Sequence, residues 1–517
     1  MKRYTLKAAA LTAVAALTLA ACGGGSDTPS TAASGSAGAA AGSIPLTLGV
    51  LQEPASWDPA QAHVGHQLQP FQVPYDTLIL RNPDGAYAPM LATEWGYTDD
   101  TNLVFQLKLR ESVTFSDGTP FDAEAVKANL EHFAADNGKQ AAQVAAVESV
   151  TVVDPTTVEV NLKQQDPAFE YYMSQAAGLM GSPKSLGTDE MDRVPVGTGP
   201  YVMVEGESVV GSQYVFTPRE GYWDPALQKF NKITLKLLAD GTSRVNALQS
   251  GEVDATLIDA AGVSQADSSG KAKLQYPVDW QGLLLFDRDG KVSEPLADVK
   301  VRQAINHAFN RQALLDALSG GFGKPTSQVF GPESGAWLPE LEDRYPYDPE
   351  KAKALLAEAG YASGVEIEMP VVGGISDTIM TAVTQQLADV GITVNLTSVP
   401  IADYQGELGA GKFPAAWFSL FQGVPWVAIN QMITPTALYN PFQTTNSEIE
   451  GLITAVRDGG AQSDANAQEV NKYVTENAWF APWFRPDQLY FYDAAKITVT
   501  PQIQMAVPAI YNYAPAS

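Results

Sequence analysis

The chain has 517 residues, 45% of them apolar, which is enough for several domains with cores of their own. It carries 32 basic against 58 acidic residues, a formal net charge of −26, and this balance excludes sequence-independent binding to nucleic-acid phosphates. The single cysteine, Cys22, excludes a disulfide framework or a thiolate metal cluster within the chain.

The N-terminus has the pattern of a secretory signal segment. Three basic residues precede an apolar run at 8–20, which is too short to cross a bilayer as a helix, and Leu-Ala-Ala-Cys closes the segment at 19–22. This ending resembles the lipobox of bacterial lipoproteins, whose cysteine is acylated. The resemblance implies a signal peptide at 1–21, lipidation of Cys22 and, because Gly, Ser, Ala and Thr dominate residues 23–43, a flexible tether over 22–43. An ordinary cleaved signal that ends near a cysteine is the alternative.

Strand and helix patterns then alternate, beginning with a strand-like run at 44–51. Residues 101–109 alternate as a half-buried strand does. Asp122 is placed to cap a helix whose apolar residues recur at helical spacing from Val126 to Phe133. Paired strand-like runs predict two hairpins, 150–153 with 158–162 and 201–204 with 214–216.

Beyond about residue 296 the pattern changes to longer helices separated by short strands. One helical stripe is predicted along Val301, Ile305, Phe309 and Leu315, ending near Gly320. Asp348 precedes a proline at the first position of another helix, and Gly360 suits its left-handed stop. Strand, helix, strand and helix follow at 365–372, 377–389, 392–399 and 402–409. This rhythm predicts an α/β lobe with a largely parallel or mixed sheet.

The common sequence signals of catalytic sites are missing. The chain has no phosphate-binding loop, no Gly-x-Ser-x-Gly and no His-Glu-x-x-His, so neither a cofactor nor a catalytic residue is predicted. Of four histidines, His132 and His307 lie on predicted helices and are expected to be structural. His63 and His66 form an i, i+3 pair after a turn, which could share a metal or contact a chelated one, although no third ligand stands nearby in sequence.

Several phrases together resemble the extracytoplasmic solute-binding proteins of bacterial ABC importers, specifically the large peptide and nickel type known as family 5. The most specific is VTFSDGTPFDAEAV at 113–126. The others, in chain order, are LATEW at 91–95, FQLKLR at 105–110, VGTGPY at 196–201, GYW at 221–223, SGEVD at 250–254, VRQAINHA at 301–308 and YDPEKAKALL at 347–356. They occur in the family's order, and the resemblance covers nearly all of residues 44–517.

The resemblance implies an α/β, two-lobed fold of the periplasmic-binding-protein type (type II, the large class with an inserted subdomain), with the ligand cleft between the lobes. A ligand that touches both lobes favours the closed form by its differential affinity. The implied parts are lobe one at 44–80, 196–296 and 485–517, the inserted subdomain at 81–195, and lobe two at 297–484.

The segment 408–447 carries no acidic residue and is rich in aromatic residues. By resemblance part of it faces the cleft, which gives four expected ligand contacts: Trp417, Phe421, Gln422 and Trp426. Peptide-binding relatives place an aspartate in this loop to pair the ligand's ammonium, but 419–426 offers none. The departure favours a modified or apolar peptide, an aryl compound or a sugar stacked on tryptophan, unless another acidic residue reaches the site.

The sequence therefore predicts a lipid-anchored solute receptor outside the cytoplasm, on the periplasmic or cell-wall side of the membrane. We expect a monomer that is not an enzyme, binds no nucleic acid, and delivers a peptide or peptide-like solute to an ABC permease and its ATPase. The alternative ligands are an oligosaccharide or a metal chelate held with His63 and His66. Remoter alternatives are an extracytoplasmic hydrolase, which would show turnover, and a purely structural lipoprotein.

Overall fold

The computed structural model describes residues 44–136, 138–373 and 377–516, all within one compact unit, 39–517. The predicted signal peptide, the lipidation of Cys22 and the tether lie outside these residues. Across the described ranges, no helix combines the length and the apolar character that a bilayer crossing requires.

The described residues form twenty strands and thirteen α-helices, joined by short 3-10 turns. The strands are β1 (Pro45–Val50), β2 (Ile79–Arg81), β3 (Tyr87–Pro89), β4 (Ala92–Tyr97), β5 (Val104–Leu109), β6 (Val147–Asp154), β7 (Thr157–Leu162), β8 (Tyr201–Met203), β9 (Gln213–Pro218), β10 (Lys232–Leu237), β11 (Ala255–Leu257), β12 (Ala272–Pro277), β13 (Asp279–Leu285), β14 (Gly323–Pro325), β15 (Val365–Val371), β16 (Ile392–Ser398), β17 (Ala415–Phe421), β18 (Phe480–Tyr492), β19 (Ile497–Val499) and β20 (Tyr513–Pro515). The helices are α1 (Leu68–Phe71), α2 (Ala123–Asp136), α3 (Phe169–Tyr172), α4 (Gly241–Ser250), α5 (Val263–Asp267), α6 (Val299–His307), α7 (Arg311–Ser319), α8 (Pro349–Glu358), α9 (Asp377–Ala388), α10 (Ile401–Gly409), α11 (Pro425–Met432), α12 (Ser447–Arg457) and α13 (Ser463–Glu476).

A ten-stranded mixed sheet organises the fold, in the order β17-β13-β18-β11-β1-β10-β9-β8, with β12 and β14 also paired to β18. β1 runs parallel to β10 and β11, and the other neighbours are antiparallel. The strand β18 is thirteen residues long and pairs with different strands along its length. Its first residues pair with β13 and β14, and its last with β11 and β12.

The described residues also form four smaller sheets, of which β2 with β3 and β19 with β20 are short two-stranded pairs. β4, β5, β7 and β6 form an antiparallel sheet against which α2 packs. β15 and β16 are parallel and joined through α9, as the strand, helix, strand pattern predicts. The two predicted hairpins are confirmed as β6 with β7 and β8 with β9. Asp122 and Asp348 cap their helices as predicted, accepting from the N–H groups of Ala125 (3.0 Å) and Lys351 (2.9 Å).

The prediction of one continuous helix from Val301 to Gly320 is wrong, because the structure has two helices there. The segment is divided into α6 and α7 because Asn310 leaves the helical conformation and accepts a hydrogen bond from the Ala313 N–H (3.0 Å), which makes it the N-cap of α7. The apolar stripe persists across the break because both helices pack onto the same buried cluster.

Arg311, the first residue of α7, fastens that helix to β18. Its buried guanidinium donates from Nε to the carbonyl oxygens of Thr326 and Pro482, both at 2.9 Å, and from its terminal nitrogens to the carbonyls of Asn306 and Tyr345. Burial lowers the pKa of Arg311 to about 10. The cation is thus held by carbonyl dipoles, and no carboxylate of the described residues forms an ion pair with it.

Arg311→Met should lower the free energy of unfolding by about 3 kcal/mol, because it leaves several buried carbonyls without donors. Urea unfolding of the variant measures the loss. The matched control is Lys353→Met, which removes an exposed pairing with Glu350 and should cost less than about 1 kcal/mol. Equal losses in the two variants would contradict this account of Arg311.

Candidate functional site

One face of the β13–β17 pair changes character along its length. The cross-strand pairs are Leu285 with Ala415, Leu283 with Trp417, Gln281 with Ser419, and Asp279 with Phe421. Residues directly opposite each other in an antiparallel pair point to the same face. The first two pairs pack into a buried apolar cluster, whereas the last two are half-buried and belong to no such cluster. The face therefore passes from core to a partly open polar surface at the Phe421 end.

Phe421, Gln422 and Gly423 form a tight corner between β17 and α11. The Phe421 ring lies over Gly423, where an added Cβ would sit 2.1 Å from the ring. The Gln422 backbone N–H donates to the Val278 carbonyl (3.4 Å), and its own carbonyl accepts from the Gly331 N–H (3.3 Å). The corner is thus pinned to β13 and to the 331–333 loop.

Asp279 stands opposite Phe421 with no partner of its own. Its carboxyl makes no hydrogen bond or ion pair with any residue that the structure describes, although its backbone is held in β13. Burial raises the pKa of Asp279 to about 6. The residue is nevertheless partly exposed.

A small cavity of about 10 Å³, room for one water molecule, lies beside this corner. Gln422, Val278, Glu333 and Gln504 line it. Gln504 donates to the Glu333 carbonyl (2.9 Å) and accepts from Arg81 (2.6 Å), so the C-terminal segment, β2 and the 331–333 loop meet here. Desolvation raises the pKa of the Glu333 carboxyl.

A second cavity, of about 480 Å³, is lined by residues that include Asp166, Val424 and Trp426. Trp426 is 4% exposed and packs in a cluster that includes residues of the β4–β7 region and of α11–α13. Burial raises the pKa of Asp166 to about 6, although the Ala168 N–H and the neighbouring Trp426 indole act in the opposite direction.

Unpaired polar atoms are concentrated in this part of the chain. Within 417–431, four buried side-chain atoms have no hydrogen-bond partner of ordinary geometry among the described residues: Trp417 Nε1, Gln422 Oε1, Trp426 Nε1 and Gln431 Oε1. Leaving a buried polar group unpaired costs about 1–3 kcal/mol, so such groups require an explanation. One explanation is a bound solute that supplies hydrogen-bond partners.

The four predicted aromatic-segment residues do not converge. Phe421 and Gln422 are neighbours at the corner, whereas Trp417 is in β17 and packs against the α/β cluster. Trp426 is the second residue of α11 and packs into the other cluster. Sequence reasoning did not single out Asp279, because only the pairing of β13 with β17 brings it opposite Phe421.

His63 and His66 lie in the turns that precede α1. Burial is the main cause that lowers both pKa values, and His66 is also affected by Arg244 and by His63 itself. His63 Nδ1 accepts from the Val64 N–H (2.9 Å), while His66 Nδ1 is buried without a partner among the described residues. In residues 44–136, 138–373 and 377–516, no three His, Cys, Asp or Glu side chains are grouped to hold a metal.

The other two histidines have structural partners, as the sequence predicts. His132 pairs with Asp58 (2.9 Å), and His307 contacts the Pro346 carbonyl (2.8 Å).

The family described as bacterial extracellular solute-binding proteins, family 5, matches residues 86–436. The chain belongs to this family. Among curated relatives of this family 5 protein, the glutathione-binding protein GsiB of Escherichia coli K12 is 29% identical over 401 residues, 70% of this chain and 73% of that protein. The counterpart from Shigella flexneri serotype 5b is 28% identical with the same coverage.

Solved structures confirm the two-lobed α/β fold. Brucella suis NikA, in complex with Fe(III)-EDTA, superposes with a TM-score of 0.78 at 24% identity, covering 91% of this chain and 99% of that one. Helicobacter pylori DppA, in complex with the peptide STSA, gives 0.77 at 19% identity, covering 92% and 98%. The open mixed sheet described above is therefore part of the fold that the chain shares with these two binding proteins.

Asp279→Asn should stabilise the unliganded protein at pH 7.5 and lose that advantage near pH 4. The carboxyl has a pKa of about 6 in the folded protein and about 3.9 when unfolded. Between these values the folded state binds more protons, so this residue's contribution to the free energy of unfolding falls as pH rises. We expect a gain on the order of 1–3 kcal/mol at pH 7.5, measured by urea unfolding across this pH range.

Asp487→Asn is the matched control, since Asp487 lies on β18 and accepts a hydrogen bond from Gln275 (2.7 Å). It should give no such gain at pH 7.5. A loss of stability in Asp279→Asn at that pH would mean that the carboxylate has a structural partner.

Proposed function

We propose that this chain is the solute-binding component of an ABC importer, which captures a peptide or peptide-like solute by lobe closure and delivers it to a membrane permease and its ATPase. The observation that carries the proposal is the match of residues 86–436 to the family 5 solute-binding proteins. At the Phe421–Gly423 corner, the buried Gln422 Oε1 has no hydrogen-bond partner among the described residues, and the backbone N–H of a peptide is one group that can pair with it. The glutathione-binding relatives and the peptide complex of Helicobacter pylori DppA support this ligand class.

Closure is proposed to act through contacts between segments that are distant in sequence. The Gln504–Glu333 and Gln422–Gly331 hydrogen bonds link the C-terminal segment, the 331–333 loop and the β17 corner. A solute that bonds to two of these segments together stabilises the arrangement in which they are close. In this proposal the protein binds the solute and delivers it to the permease, and no chemical step is assigned to it.

A metal chelate is the second candidate ligand, on one specific observation. His66 Nδ1 is buried and unpaired beside His63, and Brucella suis NikA was solved with Fe(III)-EDTA. Because no third protein ligand is grouped with the two histidines in the described chain, such a metal would arrive with its own chelator.

We also propose that the protein is a monomer held outside the cytoplasm by a lipid on Cys22. The extracellular family assignment and the basic, apolar, Leu-Ala-Ala-Cys order of the N-terminus support it. Cys22→Ser should move the protein from the membrane fraction to the soluble extracytoplasmic fraction, as immunoblots of fractionated cells would detect. Retention of the variant in the membrane would contradict the anchor.

Thermal unfolding of the mature chain against short peptides, oligosaccharides and nickel or iron chelates tests the ligand class. A ligand at about 100 times its dissociation constant stabilises by roughly 2.7 kcal/mol, which raises Tm visibly. A shift with peptides alone supports the proposal. If chelates alone raise Tm, and the rise disappears in His66→Ala, the metal chelate is favoured as the ligand and the peptide is excluded.

Phe421→Ala should weaken peptide binding about tenfold or more, because it removes an aromatic surface from the corner while leaving the buried clusters intact. Titration calorimetry with the peptide that gives the largest shift measures the change. Tyr347→Ala, which removes an aromatic ring that is 49% exposed, is the control and should bind normally. Equal affinities in both variants would remove Phe421 from the site.

A further inference from the structure

The cavity of about 480 Å³ lies between two parts of the fold that are distant in sequence. One wall comes from loops at the edge of the β4–β7 sheet, at Tyr97, Asn102 and 165–167. The other wall comes from the ends of three helices: the start of α11, the end of α12 and the start of α13. The volume is within the range of small-molecule sites and far exceeds what a single water molecule needs.

Trp426 and Asp166 bring an unpaired donor and an unpaired acceptor together in this cavity. Trp426 is 4% exposed, and its Nε1–H has no hydrogen-bond partner of ordinary geometry among the described residues. Asp166 is 7% exposed; its Oδ1 accepts from the Ala168 N–H (2.9 Å), whereas its Oδ2 accepts from no residue that the structure describes. The indole is nevertheless close enough to this carboxyl to oppose the rise in its pKa. The two groups are therefore neighbours that each need a partner.

From this pair we infer that the cavity binds a compact polyol, about the size of one sugar ring or cyclitol, with a hydroxyl group held between Asp166 and Trp426. A hydroxyl both donates and accepts at one oxygen atom. It can therefore donate to Asp166 Oδ2 and accept from Trp426 Nε1–H at the same time. The inference goes beyond the proposed function, since this site is separate from the Phe421–Gly423 corner and does not depend on it.

Other ligand groups satisfy the pair less well. An ammonium donates but does not accept, so it leaves Trp426 Nε1 unpaired. The N–H and C=O of a peptide unit point in opposite directions, so one unit does not reach two adjacent groups. An anion is repelled by the Asp166 carboxyl, which is ionised at pH 7.5 because its pKa is about 6. Arg457, a cationic residue of the lining, is already paired with Asp458 (2.6 Å).

The rest of the lining also suits a polyol. Tyr97 and Trp426 provide aromatic surface, against which the apolar face of a sugar ring can pack. The Tyr97 ring is fixed because its hydroxyl donates to the backbone carbonyl of Asp166 (3.1 Å). Asn102 and Gln165 add amide side chains, each of which can donate and accept. A molecule with several hydroxyl groups finds partners for more than one of them here.

Packing alone does not account for the pair. A phenylalanine at position 426 would fill the same apolar cluster without burying an unpaired donor, and burying one is costly. At position 166 an asparagine would supply the oxygen that accepts from Ala168 without placing a charge in the cavity. A bound hydroxyl group removes both costs.

Titration calorimetry on the mature chain with glucose, sorbitol and myo-inositol tests the inference, with glucosamine as the amine counterpart of glucose. Calorimetry is preferred to melting because concentrated polyols stabilise proteins without occupying a site. We expect saturable binding of at least one polyol, weakened about fivefold or more in Trp426→Phe and about tenfold or more in Asp166→Asn. Both variants should fold, since Phe keeps an aromatic ring and Asn keeps an oxygen for the Ala168 N–H, and melting curves check this.

Trp483→Phe is the matched control, because Trp483 Nε1 is also buried and unpaired in the described chain but lies in another cluster. This variant should keep the parent affinity for the polyol. The inference is overturned if no polyol binds saturably, if Trp426→Phe or Asp166→Asn binds as the parent does, or if glucosamine binds more tightly than glucose. Polyol binding that disappears in Phe421→Ala would place the polyol at the corner and overturn the inference as well. If polyols bind as expected but no peptide binds, the proposed function fails and the inference stands.

Discussion

The strand β18 pairs with two different sets of strands, and this pairing is the constraint on which the rest of the structure depends. One uninterrupted strand supplies hydrogen bonds to β13 and β14 at its start and to β11 and β12 at its end. The elements on either side of the site are thus attached to a common backbone, and their relative position follows from strand pairing. Arg311 adds a fixed connection from α7 to this strand at Pro482.

Local signals made much of the fold predictable. Hairpins, aspartate caps and the strand, helix, strand unit were predicted because each depends on neighbouring residues, such as Asp348 and Lys351. The break between α6 and α7 was missed because the apolar stripe continues through it. Asn310 carries the local signal of that break, since its side chain can cap the new helix as soon as the backbone turns.

The site was predictable only in part, for a physical reason. Phe421 and Gln422 could be selected because an aromatic run without acidic residues is visible in the sequence. The place of Asp279 opposite Phe421 could not be predicted, because it depends on a strand partner far away in the chain. Trp417 and Trp426 looked equivalent in sequence, yet β17 and α11 turn them into different clusters. Side-chain composition indicated the segment, and topology decided which of its members face outward.

The gradient along the β13–β17 face has a consequence for how such a protein can diversify. Its core pairs, Leu285 with Ala415 and Leu283 with Trp417, pack in a buried apolar cluster, while Gln281 with Ser419 and Asp279 with Phe421 contribute little to any buried cluster. Gly282 holds the register between them, since a Cβ there would lie 2.4 Å from the Ala481 carbonyl oxygen. Substitutions at the two outer pairs can therefore accumulate without disturbing the strands that carry them. The part of this sheet that stabilises the fold and the part that can vary thus meet between two neighbouring cross-strand pairs, Leu283 with Trp417 and Gln281 with Ser419.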